Sequence, residues 1–124
     1  MIDFKNSKFL KMTTASNNTY ASLLDSMLLE NEEIIATYQA IRDGVVFTNL
    51  HIIAINVQNT GKKKNFGFIP YKSLKVYEVE TAGIIDMDSE MKLHIHEGGS
   101  MHFEFTPGTD IKVIAKLINK GIHK

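Results

Sequence analysis

Apolar positions along the chain change period twice, near Glu33 and again after Phe105. Before the first change, Tyr20, Leu23, Leu24, Met27 and Leu28 stand three and four residues apart, which places them on one face of an amphipathic helix. Asn17, Asn18 or Thr19 can supply the N-cap oxygen, and the run "ENEE" at 30–33 ends the element. A helix this short does not persist alone, because nucleation is costly, so its apolar face must pack on the rest of the chain. Residues 1–18 keep no clean period, yet Ile2, Phe4, Phe9, Leu10 and Met12 are too apolar for a free tail. A docked, partly helical lead-in is the expectation.

From Glu33 the chain reads as strands. "EIIATYQAI", "VVFT", "HIIAINVQ", "NFGFIPY", "LKVYEVE", "EMKLHIHE" and "MHFEF" are seven short runs rich in β-branched and aromatic residues. Turn residues separate them in "RDG", "TNL", "NTGKK" and "GGS", and Pro70 falls near a strand end, where its missing N–H does least harm. With no helix between them, these strands predict an antiparallel barrel or sandwich. In the last hairpin a "GGS" loop places Ile95 opposite Phe103 and Leu93 opposite Phe105, facing inward. The same register sets His96 opposite His102 and His94 opposite Glu104 on the outer face. At the C-terminus Ile111, Ile114, Ala115, Ile118 and Ile122 mark a helical face, with Thr109 as cap and Asp110 in the first turn, where the helix dipole favours negative charge. Val113 and Leu117 widen that stripe beyond what one contact surface needs.

Composition narrows the function classes. A chain of 124 residues closes one hydrophobic core without staples, so one domain is expected. Fourteen basic residues balance fourteen acidic ones, leaving no long-range field toward nucleic acid or an anionic bilayer. Without cysteine there are no disulfides, thiolate nucleophiles or thiolate zinc sites, which fits a reducing compartment. The N-terminus mixes lysine with apolar residues and lacks the continuous apolar stretch of a secretory signal, and no segment is long enough to span a membrane. The protein is read as cytoplasmic.

"AIRDGVVFTNLHIIAINVQNTGKKKNFGFIPYKSL", then "VETAGIIDMDSEM", then "FEFTPGTDI" resembles the bacterial pleckstrin-homology (PH) domain family of small uncharacterised proteins, in nearly continuous register from about Glu32 to the end. The resemblance implies a PH-like seven-stranded antiparallel barrel or sandwich capped by a C-terminal amphipathic helix, spanning 32–124. Residues 1–31, the lead-in and an extra N-terminal helix, are expected to pack on that same domain. It also implies no enzymatic activity, no cofactor, and cyclic homo-oligomers. For a chain with no C-terminal extension the expected ring is a pentamer. The family pattern carries an arginine where this chain has His51. Protein-protein interaction through assembly is the expected function, with an unknown protein as partner and no nucleic acid.

Three local clusters are candidates for chemistry. Lys62, Lys63 and Lys64 form the one basic run, a candidate for anion or phospholipid binding and hence for a membrane surface as partner. They lie between the third and fourth strands, away from the loop where PH domains gather basic residues. They also lack the bidentate arginines or glycine nest that fix a phosphate, so a solvated hairpin tip is favoured over a headgroup pocket. His94, His96 and His102, with Glu104, are the candidate metal ligands on the outer sheet face, weighed against ordinary surface histidines. Asp86, Asp88, Glu90 and Glu97 match some positions of a calcium loop, but Met91 stands where glycine is required. No nucleophile elbow, paired-carboxylate motif or cofactor fingerprint is present.

Overall fold

A computed structural model of the chain describes residues 7–57, 64–85, 87–96 and 98–124. Its elements are β1 (Ser7–Ala15), α1 (Ala21–Leu24), β2 (Ile34–Gln39), β3 (Asp43–Thr48), β4 (His51–Val57), β5 (Lys64–Pro70), a 3-10 turn (Tyr71–Ser73), β6 (Leu74–Glu80), β7 (Ser89–Ile95), β8 (Ser100–Phe105) and α2 (Ile111–Ile122). The strands form one eight-stranded sheet in the order β5-β4-β3-β2-β1-β8-β7-β6. All seven expected strands are present as β2 to β8. The sheet is not closed, so the fold is PH-like without being a complete barrel.

The lead-in corrects the sequence reading, since Ser7–Ala15 is a strand rather than a partial helix. Its first half pairs parallel with β8, Phe9 opposite Phe103, and its last residues pair antiparallel with β2, Thr13 opposite Gln39. Between the two, a bulge at Leu10 and Lys11 shifts the register, and Lys11 adopts a left-handed φ of 56°. An extra residue breaks the two-residue period, so the inward side chains are Phe9 and Met12, three apart. That is why no clean period is visible in the sequence.

The expected N-terminal helix shrinks to one turn. Asn17 does not cap it: its side chain donates to the Ile35 carbonyl at 3.3 Å and accepts from the Thr37 hydroxyl at 3.0 Å, while Tyr20 occupies the N-cap with no side-chain bond. Its apolar residues pack as expected. Tyr20 and Leu24 bury against Val46, Ile53 and Ile55, with Leu28, Ile34 and Phe66 alongside, so this segment covers the outer face of the β3-β4-β5 half-sheet.

The main core lies between the inner faces of the sheet and α2. Phe9, Met12, Phe47, Ile52, Leu93, Phe103 and Phe105 fill it, and Ile111, Ile114 and Ile118 close it from the helix. Burying side chains of this size is worth about 1.5–3 kcal/mol each. Asp110, not Thr109, caps α2 by accepting from the Lys112 N–H at 3.2 Å. Thr109 instead donates to the Thr106 carbonyl at 3.0 Å. Val113 is exposed and Leu117 partly buried.

The final hairpin has the expected faces but a pairing shifted by four residues. Met91 stands opposite Phe103 and Leu93 opposite Met101, all buried. The turn forms two residues earlier than "GGS" would set it: the Gly98 N–H donates to the Ile95 carbonyl at 2.9 Å, and Gly98 takes a φ of 92° that favours glycine. A shift by an even number of residues keeps every side chain on its face, so the hydrophobic pattern alone does not choose between the two registers.

Candidate functional site

The two ends of the sheet differ. At one end α2 packs against the 3-10 turn and the adjoining ends of β6 and β7. The other end is a rim that strand pairing traces residue by residue: Glu80 beside Glu90, Glu90 beside Glu104, then the β1 bulge, Thr13 beside Gln39, Asp43 beside Asn56, and Val57 beside Lys64. The β2-β3 turn lies at this rim, as do the end of β6 at Glu80 and the start of β7 at Ser89.

Lys64 opens β5 at the rim and is exposed; Lys62 and Lys63 lie outside the described residues. One strand pair away, the β2-β3 turn holds Ile41, fully exposed at 100%, next to Arg42. The sequence pattern counts Ile41 with the first strand and "RDG" as the turn, whereas β2 ends at Gln39 and Ile41 stands in the turn itself, a large apolar residue in solvent. Leu10, Lys11, Thr13, Ala40, Ile41 and Arg42 surround a groove of about 860 Å³ with a mainly apolar lining. It opens because β2 pairs with β1 only from Thr13 onward, leaving the bulged part of β1 uncovered on that side. Across the rim, Ile84 and Ile85 are each 97% exposed.

The candidate metal histidines are not arranged as the expected register had them. His94 lies opposite Ser100, and His102 lies opposite Lys92, with its Nε2 2.8 Å from an oxygen of Glu90. His96 sits in the turn, where its backbone N–H donates to the Ser73 carbonyl at 3.0 Å. Among the described residues no three His, Asp or Glu side chains converge as a metal set. Asp86 and Glu97 lie outside those residues. Among them, too, no helix is long and apolar enough to cross a membrane.

A buried polar cluster that the sequence reading did not assemble surrounds Glu32, whose side chain is 1% exposed. Its Oε2 accepts from the Thr48 hydroxyl at 2.5 Å and meets His51 Nδ1 at 2.8 Å, and Oε1 accepts from the Leu29 N–H at 3.1 Å. Burial alone would raise the Glu32 pKa; the bonds from Thr48, His51 and Leu29, with the charge of His51, outweigh it and hold the carboxyl below its ordinary range. Thr48 Oγ1 also accepts from the N–H groups of Leu50 and His51, at 3.0 and 2.9 Å. Tyr71 donates its hydroxyl to the Thr48 carbonyl at 2.6 Å, and burial, with Glu32 nearby, pushes that phenol's pKa up. His51 partners the buried carboxylate. The cluster ties the α1-β2 connection to the β3-β4 turn.

The family model described as "Bacterial PH domain" matches residues 3–122, which includes the lead-in strand. The chain is 43% identical over 84 residues to the uncharacterized protein YjqA of Bacillus subtilis (strain 168), covering 67% of each. It is 30% identical over 109 residues to YozO of the same organism, covering 88% of this chain and 95% of that one. A crystal structure of a DUF1696 family protein with a pleckstrin-homology domain from Shewanella loihica PV-4 superimposes with a TM-score of 0.78 at 37% identity, over 90% of this chain and 97% of that one. With an open eight-stranded sheet, a C-terminal helix over one end and a family match along nearly its whole length, this chain belongs to the bacterial PH domain family.

Proposed function

We propose that this protein is a non-catalytic cytoplasmic module that assembles into a cyclic homo-oligomer, a pentamer, and acts by presenting one polar surface in several copies to a partner protein. The observation that carries this reading is the open sheet. β5 and β6 are its two edges, each paired on one side only. Unpaired edge groups invite another strand unless charge, proline or a covering element blocks them. Both edges carry apolar side chains in solvent: Phe68 on β5 is 40% exposed, and Val76 and Val79 on β6 are 48% and 40% exposed. Leu23 and Met27, on the segment that covers the β5 half-sheet, add to the apolar surface at that side.

Unlike edges at opposite ends of one sheet favour head-to-tail contact, which closes into a ring when the rotation per subunit divides a full turn. A ring multiplies a weak partner site by avidity. Light scattering on the purified protein at micromolar concentration is expected to give a discrete multiple of 14.0 kDa. Val76→Lys with Val79→Lys should reduce that mass while leaving the fold intact. A monomer mass for the parent chain would overturn the reading.

A second reading, attraction to anionic phospholipid, rests on Ile41 and Arg42 at the rim where the lysine run meets β5. Its mark would be sedimentation with phosphatidylglycerol vesicles, lost as salt rises and lost in Lys62→Ser/Lys63→Ser/Lys64→Ser.

A further inference from the structure

The segment 16–33 lies across the outer face of the β3-β4-β5 half-sheet, yet little of it is built into that sheet. From Ser16 to Glu32, the backbone–backbone hydrogen bonds among the described residues close within the segment itself. Thr19 N–H donates to the Ser16 carbonyl at 3.0 Å, and Met27 N–H to the Leu24 carbonyl at 2.8 Å. Of this segment only Tyr20, Leu24 and Glu32 are buried. Its ends are close together, because Ala15 stands opposite Thr37 and β2 starts at Ile34. A loop with neighbouring ends and its own internal bonds can swing away as one body without breaking a strand pairing.

Side chains hold the segment shut at three points. At its start, Asn17 bonds the Ile35 carbonyl and the Thr37 hydroxyl. In the middle, the Tyr20 phenol rests on Gly44, where any Cβ would overlap it, and a glycine inside a strand marks such a close approach. At the far end, Thr48 and His51 clasp Glu32, and Asn49 Nδ2 donates to the Asn31 carbonyl at 2.9 Å. Beneath lie Val46, Ile53 and Ile55, all 0% exposed, in an apolar cluster separate from the main core.

We infer that 16–33 is a hinged strap: it opens as a unit, released at Tyr20 and Glu32, and unmasks the Val46-Ile53-Ile55 strip while the sheet and the main core stay folded. The fold thereby holds a second apolar face in reserve, on the side of the half-sheet opposite the main core. This opening requires no second copy of the chain.

Val45 and Val46 are neighbours on β3, both 0% exposed, the first in the main core and the second under the strap. The chain has no cysteine, so Val45→Cys and Val46→Cys each supply one thiol, whose reaction with an aromatic disulfide reagent reports how often its surroundings open. Each rate is compared with the rate that global unfolding allows, taken from the urea curve of the same variant. The Val46→Cys thiol is expected to exceed that limit by at least about tenfold, and the Val45→Cys thiol to obey it. Glu32→Gln and Gly44→Ala, added separately to Val46→Cys, should each speed the reaction by about tenfold or more, as expected for losing one buried anchor. Ile55→Cys repeats the measurement at a second site under the strap and replaces Val46→Cys if that variant does not fold. Thiols at both sites that react only at their global-unfolding rates would overturn the inference. A fast rate that neither Glu32→Gln nor Gly44→Ala changes would overturn it too, because the face would then open without release of the strap.

Discussion

At the scale of single residues, the strongest physical statement in the molecule is the burial of Glu32. A carboxylate 1% exposed is tolerable only because Thr48, His51 and the Leu29 N–H all serve it. Thr48 is the pivot, since its one hydroxyl donates to Glu32 and accepts from two backbone N–H groups. Thr48→Val keeps the shape and removes all of these, and each buried group left unpaired costs about 1–3 kcal/mol, so a loss of about 2–5 kcal/mol is expected in urea unfolding. The pH dependence follows from the direction of the Glu32 shift. Its folded pKa lies below the ordinary 4.5, so its stabilisation is fully present above that value and is lost as pH falls through the folded pKa. Glu32→Gln should therefore be clearly less stable than the parent at pH 7, with the gap narrowing steadily below about pH 4.5. A gap that stays constant down to pH 3 would show that the carboxylate gains nothing from its neighbours.

At the scale of elements, α2 is held by one close approach as much as by its stripe of isoleucines. Gly121 lies in its last turn, where a Cβ would come within 2.2 to 2.7 Å of the Tyr71 side chain. In an exposed helix, glycine to alanine stabilises by about 1 kcal/mol. Here Gly121→Ala should destabilise, lowering the melting temperature, because Tyr71 is 2% exposed and anchored through its hydroxyl to the Thr48 carbonyl. A raised melting temperature would mean that the helix end can shift away from the ring. The elements that could be read from the sequence were those whose period survives intact: the seven strands from Ile34 and the Ile111-Ile114-Ile118 face. β1 was missed because its bulge puts inward residues three apart, and the Tyr20–Leu28 pattern overstated a helix that Asn17, Asn18, Asp25 and Ser26 reduce to one turn. The candidate site was less legible. Glu32, Thr48 and His51 meet only through the hairpin that brings the β3-β4 turn beside the α1-β2 connection. The groove exists only because β1 stops pairing with β2 at Thr13.

At the scale of the whole molecule, β1 decides whether there is one sheet or two. β2 to β5 form a continuous antiparallel meander, β6 to β8 form another, and among the described residues no pairing joins them except through β1, which binds β8 on one side and β2 on the other. Phe9 and Met12, 3% and 0% exposed, sit at that junction, and Phe9 stacks on Phe103 with ring centroids 4.9 Å apart. A reading in which the folded unit begins at Glu32 would make the first fifteen residues dispensable. Deleting Met1–Ala15 instead removes the strand between Gln39 and Phe103, uncovers the Phe103-Phe105 face and creates two new open edges in the middle of the sheet. The expected result is a chain that aggregates or fails to give a cooperative thermal transition, whereas deletion of only the first six residues leaves β1 whole and should preserve the transition. Phe9→Ala and Met12→Ala in the full chain should each cost about 2–5 kcal/mol, the range for emptying a large buried site. They are expected to be less severe than the deletion, because the backbone pairing of β1 remains. Cooperative unfolding of the Met1–Ala15 deletion, at a melting temperature near that of the parent, would show that the two half-sheets hold together through the core alone and that β1 is an addition to the fold, not its bridge.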